Sequence, residues 1–357
     1  MLTITDGNVK MTHSAWKHKT KIYRSGKMKK VICALLLICM MCSLCACGEQ
    51  QYKLGMGIVL NTDSSATGNA QVDATMAAVV LDSSSKIVAC RIDCVQDKMD
   101  VTDGAVDTAK TFLTKMELGD DYNMVKYSDA TLEWYDQAKA FEAYVVGKTA
   151  AEVEGIETVI NEEGHAVTTD ETLYASCSIS IGDFKAAVVK ACNDDQGQTF
   201  KAGKDFLLGV AATSTADESV AATADEDGTV KMYSEYAAVV LDKSGKILAT
   251  VNDATQPQIT INAAGEITGT KFGGTKRELK EDYNMVTYGS AIAEWYVQSK
   301  AFSDYCAGKT AEEVLAIETT INEEGHAVAV SEDLFSQCTM SIAGMQTVVA
   351  AAAGYAR

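Results

Sequence analysis

A chain of 357 residues, 47% hydrophobic and 22% charged, carries enough apolar material for two cores of ordinary size. Its formal charge of −18 is unevenly spread: residues 1–30 hold eight Lys/Arg against Asp6 alone, residues 31–46 hold none, and residues 47–357 stand at about −25. So acidic a body repels nucleic acid and anionic lipid headgroups, which excludes nucleic-acid binding and direct docking onto a charged membrane surface.

In chain order, export comes first. Met28-Lys29-Lys30 precedes an uncharged apolar run from Val31 to Met41, and then come small residues from Ser43 to Gly48. Charged, apolar and small-residue regions in that order predict a secretory signal. The apolar run is short for a membrane span, which needs ~20 residues. Leu44-Cys45-Ala46-Cys47 resembles the bacterial lipobox, in which the last cysteine is diacylated. Residues 1–47 are therefore expected to be an N-terminal extension and lipoprotein signal peptide, with Cys47 the lipidation site. The mature chain is expected at the cell membrane, lipid-anchored on the extracytoplasmic face. An ordinary cleaved signal or an N-terminal anchor is the alternative.

The remainder is written twice. Glu117–Phe141 recurs as Glu278–Phe302, and the octet Ile-Asn-Glu-Glu-Gly-His-Ala-Val appears unchanged at Ile160–Val167 and Ile321–Val328. A period of about 160 residues exceeds the ~20–50 of solenoid units and is the size of a domain. Two tandem homologous α+β domains are expected, at 48–195 and 196–357, with the polar stretch Asn193–Gly203 between them. Each opens with strands. Gly55–Asn61 is apolar, and the hairpin Ala77–Leu81, Asp82–Lys86, Ile87–Ile92 returns as Ala237–Leu241, Asp242–Lys246, Ile247–Val251. Copy two adds a hairpin over Thr260–Ile267. The repeated block predicts helix, since Leu132, Tyr135, Ala138, Phe141 and Val145 fall at three- and four-residue steps. Gly147 and Gly308 predict its ends, and Thr149–Glu152 and Thr310–Glu313 are capping boxes for the next helix. After the octet, whose turn is Gly164, Ser176–Ile181 predicts a brief extended segment. Phe184–Cys192 and Met345–Ala353 predict closing helices. Strands first and helices after is the α+β order.

Chemistry is thinly marked. Outside the signal and Cys47 six cysteines remain, and only Cys177 and Cys338 match between copies, so a shared disulfide framework is not expected. His165 and His326 each follow paired glutamates in the octet, one histidine per copy and short of a zinc set. Trp134-Tyr135 and Trp295-Tyr296 offer aromatic faces for a flat ligand, or side chains for the core. A Gly-rich phosphate loop is missing, and no assembled nucleophile argues for a hydrolase.

One resemblance bears on these residues. The order of hairpin, helices ending in Gly-Lys-Thr, acidic loop, small-residue strip and Ala/Val-rich helix resembles the FMN-binding domain of exported flavoproteins. That family includes lipoproteins of extracellular electron transfer and subunits of sodium-pumping quinone reductases. There an acidic residue precedes Ser-Gly-Ala-Thr-x-Ser/Thr, and the Thr hydroxyl is esterified to the FMN phosphate. The resemblance implies that Asp333, Ser336, Thr339 and Ser341 in copy two, and Ser178 in copy one, are cofactor-binding positions, with FMN the cofactor. Gln337 and Ser176 replace the family's glycine, cysteine replaces its alanine, and copy one has Ser178 for threonine. The implied function is an extracytoplasmic electron-transfer flavoprotein with a redox or surface protein partner. The alternative is a cofactor-free surface lipoprotein that binds a ligand or protein.

Overall fold

Three antiparallel strands open the first copy: β1 (Gln50–Asn61), β2 (Asn69–Leu81) and β3 (Ile87–Asp100). Their alternation follows the sequence, with Ala77 and Val79 of β2 facing one side and Met76, Ala78 and Val80 the other. The hairpin turn is held by Asp82, whose carboxylate accepts the Ser84 and Lys86 amides at 2.8 and 3.0 Å. The computed structural model describes residues 49–289 and 291–357, so the signal segment and Cys47 lie outside the described residues.

Helices come next, as the capping residues predict. Thr114 and Glu117 box the one-turn α1 (Lys115–Leu118), α2 runs Trp134–Val145, and Thr149 and Glu152 box α3 (Ala150–Glu154). The repeated block is not one helix. Asn123 takes a left-handed conformation (φ 57°) that breaks it, as Asn284 does in copy two (φ 60°). Glu133 then accepts the Met124 and Val125 amides freed at the break, at 2.9 and 3.2 Å. The octet makes a small hairpin, β4 (Thr158–Ile160) and β5 (Ala166–Thr168), with Gly164 at its turn (φ 84°). Ser176–Ile181 is not a strand, because its Ser178 and Ile179 amides bond to the side chain of Gln137. α4 (Gly182–Cys192) closes the copy.

The stretch expected to separate the copies instead contains β6 (Gln198–Ala202), which pairs with β1. Copy two continues with β7 (Leu207–Thr215), β8 (Gly228–Lys231), β9 (Tyr233–Leu241), β10 (Ile247–Thr255), β11 (Gln258–Ile261) and β12 (Ile267–Lys271). Its helices α5 (Lys276–Leu279), α6 (Trp295–Cys306), α7 (Ala311–Leu315) and α8 (Ala343–Gly354) repeat the first four, and the second octet forms β13 (Thr319–Ile321) and β14 (Ala327–Ala329). Where copy one has one long β2–β3 hairpin, copy two breaks into the sheets β10-β9-β7 and β12-β11-β8. The break falls at Pro257, the chain's single proline, which has no amide to carry a ladder across.

The class is α+β, and the layers run helix, sheet, sheet, helix. Each copy has a cluster between its sheet and its own helices, centred on Phe141 and Val188 in copy one and Phe302 and Val348 in copy two. A third cluster belongs to both, with Leu54, Met76 and Val80 of copy one packed on Leu208, Tyr236 and Val240 of copy two. The inward faces of the two sheets thus cover each other, and residues 49–357 form one compact unit. A fourth cluster seats β8, β11 and β12 on the far ends of β2 and β3, through Val72, Met99, Ile259 and Ile261.

Candidate functional site

Ser178 and Thr339 occupy matching places in the turns that lead into α4 and α8. Each is tied to a buried glutamine of the long helix. The Gln137 side-chain oxygen accepts the Ser178 amide at 2.9 Å, the Ser178 hydroxyl at 3.3 Å and the Ile179 amide at 3.2 Å. In copy two the Gln298 oxygen accepts the Thr339 amide and hydroxyl at 2.8 and 3.3 Å. The other end of each glutamine donates to a main-chain oxygen of the loop before the helix, Leu132 at 2.9 Å and Ala293 at 2.7 Å. Both glutamines are almost fully buried, so each side chain pins one loop to another. An amide oxygen thus occupies the converging donors that a phosphate on Ser178 or Thr339 would need, and the residues present do not fit a flavin phosphate there. Asp333 and Ser341 are exposed, and the Ser336 hydroxyl donates to the Asp333 main-chain oxygen at 3.3 Å. Four of the five positions lie in the loop and its flanking helical turn in copy two and Ser178 lies in the matching loop of copy one, and none of them lines the clefts where the copies meet.

The octets owe their repetition to turn geometry. Asn161 accepts the Glu163 and His165 amides at 3.1 and 2.8 Å, and Asn322 does the same for Glu324 and His326 at 3.0 and 2.8 Å. Each histidine ring sits 3.5 Å from the neighbouring glutamate on an exposed tip. Among the described residues no group of three or more His, Cys, Asp or Glu would hold a metal, and no helix is long and apolar enough to cross a membrane. Trp134 and Trp295 are core residues, 4% exposed. Lys115 lies over the Tyr122 and Trp134 rings, and Lys276 over Tyr233, Tyr283 and Trp295, at 4.6 to 5.4 Å in copy two. The six described cysteines are free and buried, and burial raises the Cys177 and Cys338 thiols to about 12, so they are inert at neutral pH.

The polar residues with most structure around them lie where the copies meet, and they obey an approximate twofold. After α4, Asp194 receives the Arg277 guanidinium at 2.9 and 3.1 Å and the Met56 amide at 3.1 Å. Lys190 reaches Glu278 at 2.7 Å. After α8 the chain crosses the other way: Tyr355 donates to Glu117 at 2.9 Å, and Arg357 clasps Glu142 at 2.9 and 2.8 Å. Arg357 also exchanges main-chain bonds with Leu208. The tail of each copy is thereby fastened to the capping box of the other. Beneath each box lies a buried aspartate. Asp93 accepts the Met116 amide and Asp253 the Arg277 amide, at 3.0 and 3.1 Å. Burial lifts Asp93 to about 7, against the pull of its hydrogen bonds, and Asp253 to about 6, against the Arg277 charge.

Three clefts run along this seam. Two adjoin at Asp195, Gln196 and Arg277, with volumes of about 250 and 390 Å³. The third, about 470 Å³, opens between β3, α2 and Arg357. Sequence does not reveal the joint residues, because their partners lie 83 to 238 positions away. Gln137 and Gln298 do carry a signal. Each falls on the apolar stripe of its helix, between Trp134 and Phe141 or Trp295 and Phe302, where a polar residue needs a specific partner.

No protein-family model matches the chain, and no curated protein matches it. Among solved structures, a Bacteroides fragilis protein described as exported and with a YmcC-like fold covers 62% of this chain and 95% of its own length. The two are 8% identical, and at a TM-score of 0.12 the likeness carries no argument.

Proposed function

We propose that this protein is a cofactor-free binding lipoprotein of the extracytoplasmic surface, which takes its ligand at the seam between its two copies. The observation that carries this reading is the set of clefts at Arg277, whose walls come from both copies. Clefts at the joint between two covalently linked halves are where small-molecule sites form most readily. The glutamine-filled loops at Ser178 and Thr339 support the cofactor-free part. A lipid on Cys47 would hold the acidic body at the membrane, each buried CH₂ contributing ~0.8 kcal/mol.

The test is expression in a host that has both the lipoprotein export machinery and the flavin transferase. The product is expected to be colourless at about 450 nm, where a bound flavin absorbs, with no flavin mass on either copy. Cys47→Ser is expected to move it from the membrane fraction to the medium, or to leave an unprocessed precursor. Flavin mass on Thr339 or Ser178 would overturn the cofactor-free reading in favour of an electron-transfer flavoprotein. A processed Cys47→Ser protein that stays in the membrane would overturn the anchor.

A further inference from the structure

The two main sheets match strand for strand except at one edge. β3, β2 and β1 of the first correspond to β10, β9 and β7 of the second, but the first carries β6 beyond β1 and the second has no strand beyond β7. Register fixes the correspondence: Lys53 pairs with Leu81 and Leu207 with Leu241, so Leu54 matches Leu208. β6 covers β1 from Leu54, opposite Gln198, to Gln50, opposite Ala202. On β7 only the first of these places is taken. Arg357 stands where Gln198 stands, and exchanges main-chain bonds with Leu208 at 3.1 and 3.3 Å. Alternate residues of a strand turn their amides the same way, so Phe206 and Lys204 face outward as Leu208 does. Among the described residues no strand pairs with them there.

The cleft of about 470 Å³ lies along this open edge. In the other half, Phe200 and Ala202 of β6 are buried beside Tyr52 and Leu54, and the Gln198 side chain accepts the Thr250 amide of β10 at 3.0 Å. Here the matching Phe206 and Leu208, with Val88 and Ala89 of β3, form an apolar floor, and Val88 and Val146 are 36% and 49% exposed. No side chain accepts the Cys90 amide, the match of Thr250. An unpaired edge of this kind is a template for another strand. Charge selects the strand. Arg91, Lys139, Lys204 and Arg357 line the cleft against one carboxylate, Glu142, a balance of +3 that stays positive if a terminal carboxylate at Arg357 is counted. Glu142 is engaged by Arg357 and Arg91. Lys139 lies over the Tyr135 ring at 4.5 Å, and Asp205, next to Lys204, pairs with Lys243. On a body of about −25, this positive stretch favours an acidic partner.

We propose that the β7 edge from Lys204 to Leu207 receives an extended acidic segment of a partner protein, which pairs with it as β6 pairs with β1. An aromatic and a small side chain of that segment lie on the cleft floor, in the places that Phe200 and Ala202 hold in the other half. The site is separate from the clefts at Arg277 and holds whether or not those take a ligand.

The test is fluorescence anisotropy on the full chain with the labelled peptide acetyl-Glu-Phe-Glu-Ala-Glu-amide, whose Phe and Ala are set to match Phe200 and Ala202. Saturable binding is expected. N-methylation of the Phe amide removes a ladder donor and keeps every side chain, and should weaken binding at least tenfold. Lysine in place of each Glu should do the same. The double variant Lys139→Glu, Lys204→Glu alters two exposed side chains and should reverse the order of the acidic and basic peptides. No saturable binding, binding indifferent to N-methylation, or an order that the double variant leaves unchanged overturns the proposal. So does hydrogen exchange that finds the Phe206 amide protected without peptide. Protection that grows with protein concentration would give the edge to a second copy, and protection at every concentration to the chain's own residues 1–48.

Discussion

At the scale of residues, two kinds of glycine separate packing from backbone strain. A Cβ built on Gly55 would lie 2.0 Å from the Ala191 oxygen of α4, and one on Gly209 would lie 1.9 Å from the Ala352 oxygen of α8. Both glycines let a helix backbone settle directly onto its strand, and neither approach leaves room for a methyl group. Gly147 differs: nothing lies within 4 Å of its Cβ position, but its φ of 85° is costly for any side chain. Gly209→Ala is therefore expected to destabilise the protein by about 3 kcal/mol or more, the upper end of overpacking, because backbone must move. Gly147→Ala should cost only ~1–2 kcal/mol, the left-handed penalty alone. Urea unfolding of the two variants measures the difference. Equal losses would mean that α8 shifts freely on β7.

At the scale of elements, the strands gather carboxylates that the interior does not welcome. Asp97 on β3 is 1% exposed, faces β7 and β9, and has no partner on either oxygen. The nearby Ser214 and Ser234 hydroxyls bond to each other at 2.9 Å. Burial lifts Asp97 to about 7; those hydroxyls pull it down, and Asp73 pushes it up. Asp93 and Glu235 also stand at about 7, and Asp253 at about 6, burial being the first cause in each. An unfolded carboxyl titrates near ~4, so between pH 4 and 7 the folded state holds protons that the unfolded state has lost. Stability from these groups is complete below about pH 4 and falls as pH rises through 7. The melting temperature is thus expected to rise by several degrees from pH 8 to pH 5. Asp97→Asn should raise it at pH 8 and flatten the slope. A melting temperature that falls with acidification, in the native chain and the variant alike, would contradict the assignment.

At the scale of the whole molecule, the duplication is joined rather than strung. The shared cluster, β6 on β1, and the crossed tails at Asp194 and Arg357 make each copy a wall of the other. The full chain is expected to unfold in urea in one transition, with a slope that matches the surface of both copies together. Residues 48–195 alone would expose the inner face of their sheet, with Leu54, Met76 and Val80 in water. They should bind a hydrophobic dye and self-associate, and recover native spectra when mixed with 196–357. A 48–195 fragment that is monomeric, dye-silent and cooperatively folded would show that each copy stands alone.

What the sequence by itself determined is local or repeated: the hairpins, the capping boxes at Thr149 and Thr310, the glycine stops and the closing helices. Residues within four positions decide each of these. The α+β class came with them, since element order sets it. The buried face of the long helix was legible only in part: Ala138, Phe141 and Val145 lie on it as the stripe predicts, but Leu132 is exposed ahead of the helix, and Trp134 and Gln137 take the inner positions. The tertiary structure decided the rest. That Asn193–Gly203 holds a strand depends on an open edge at β1, and the turns at Ser176–Ile181 depend on a glutamine about forty residues earlier. The face-to-face sheets were not legible, because an inward-facing apolar strand reads the same whether a helix or another sheet covers it. The seam was hidden for a related reason. Arg357 and Glu142, or Arg277 and Asp194, are ordinary surface residues in sequence, and only the pairing of two folded copies brings each charge to its partner.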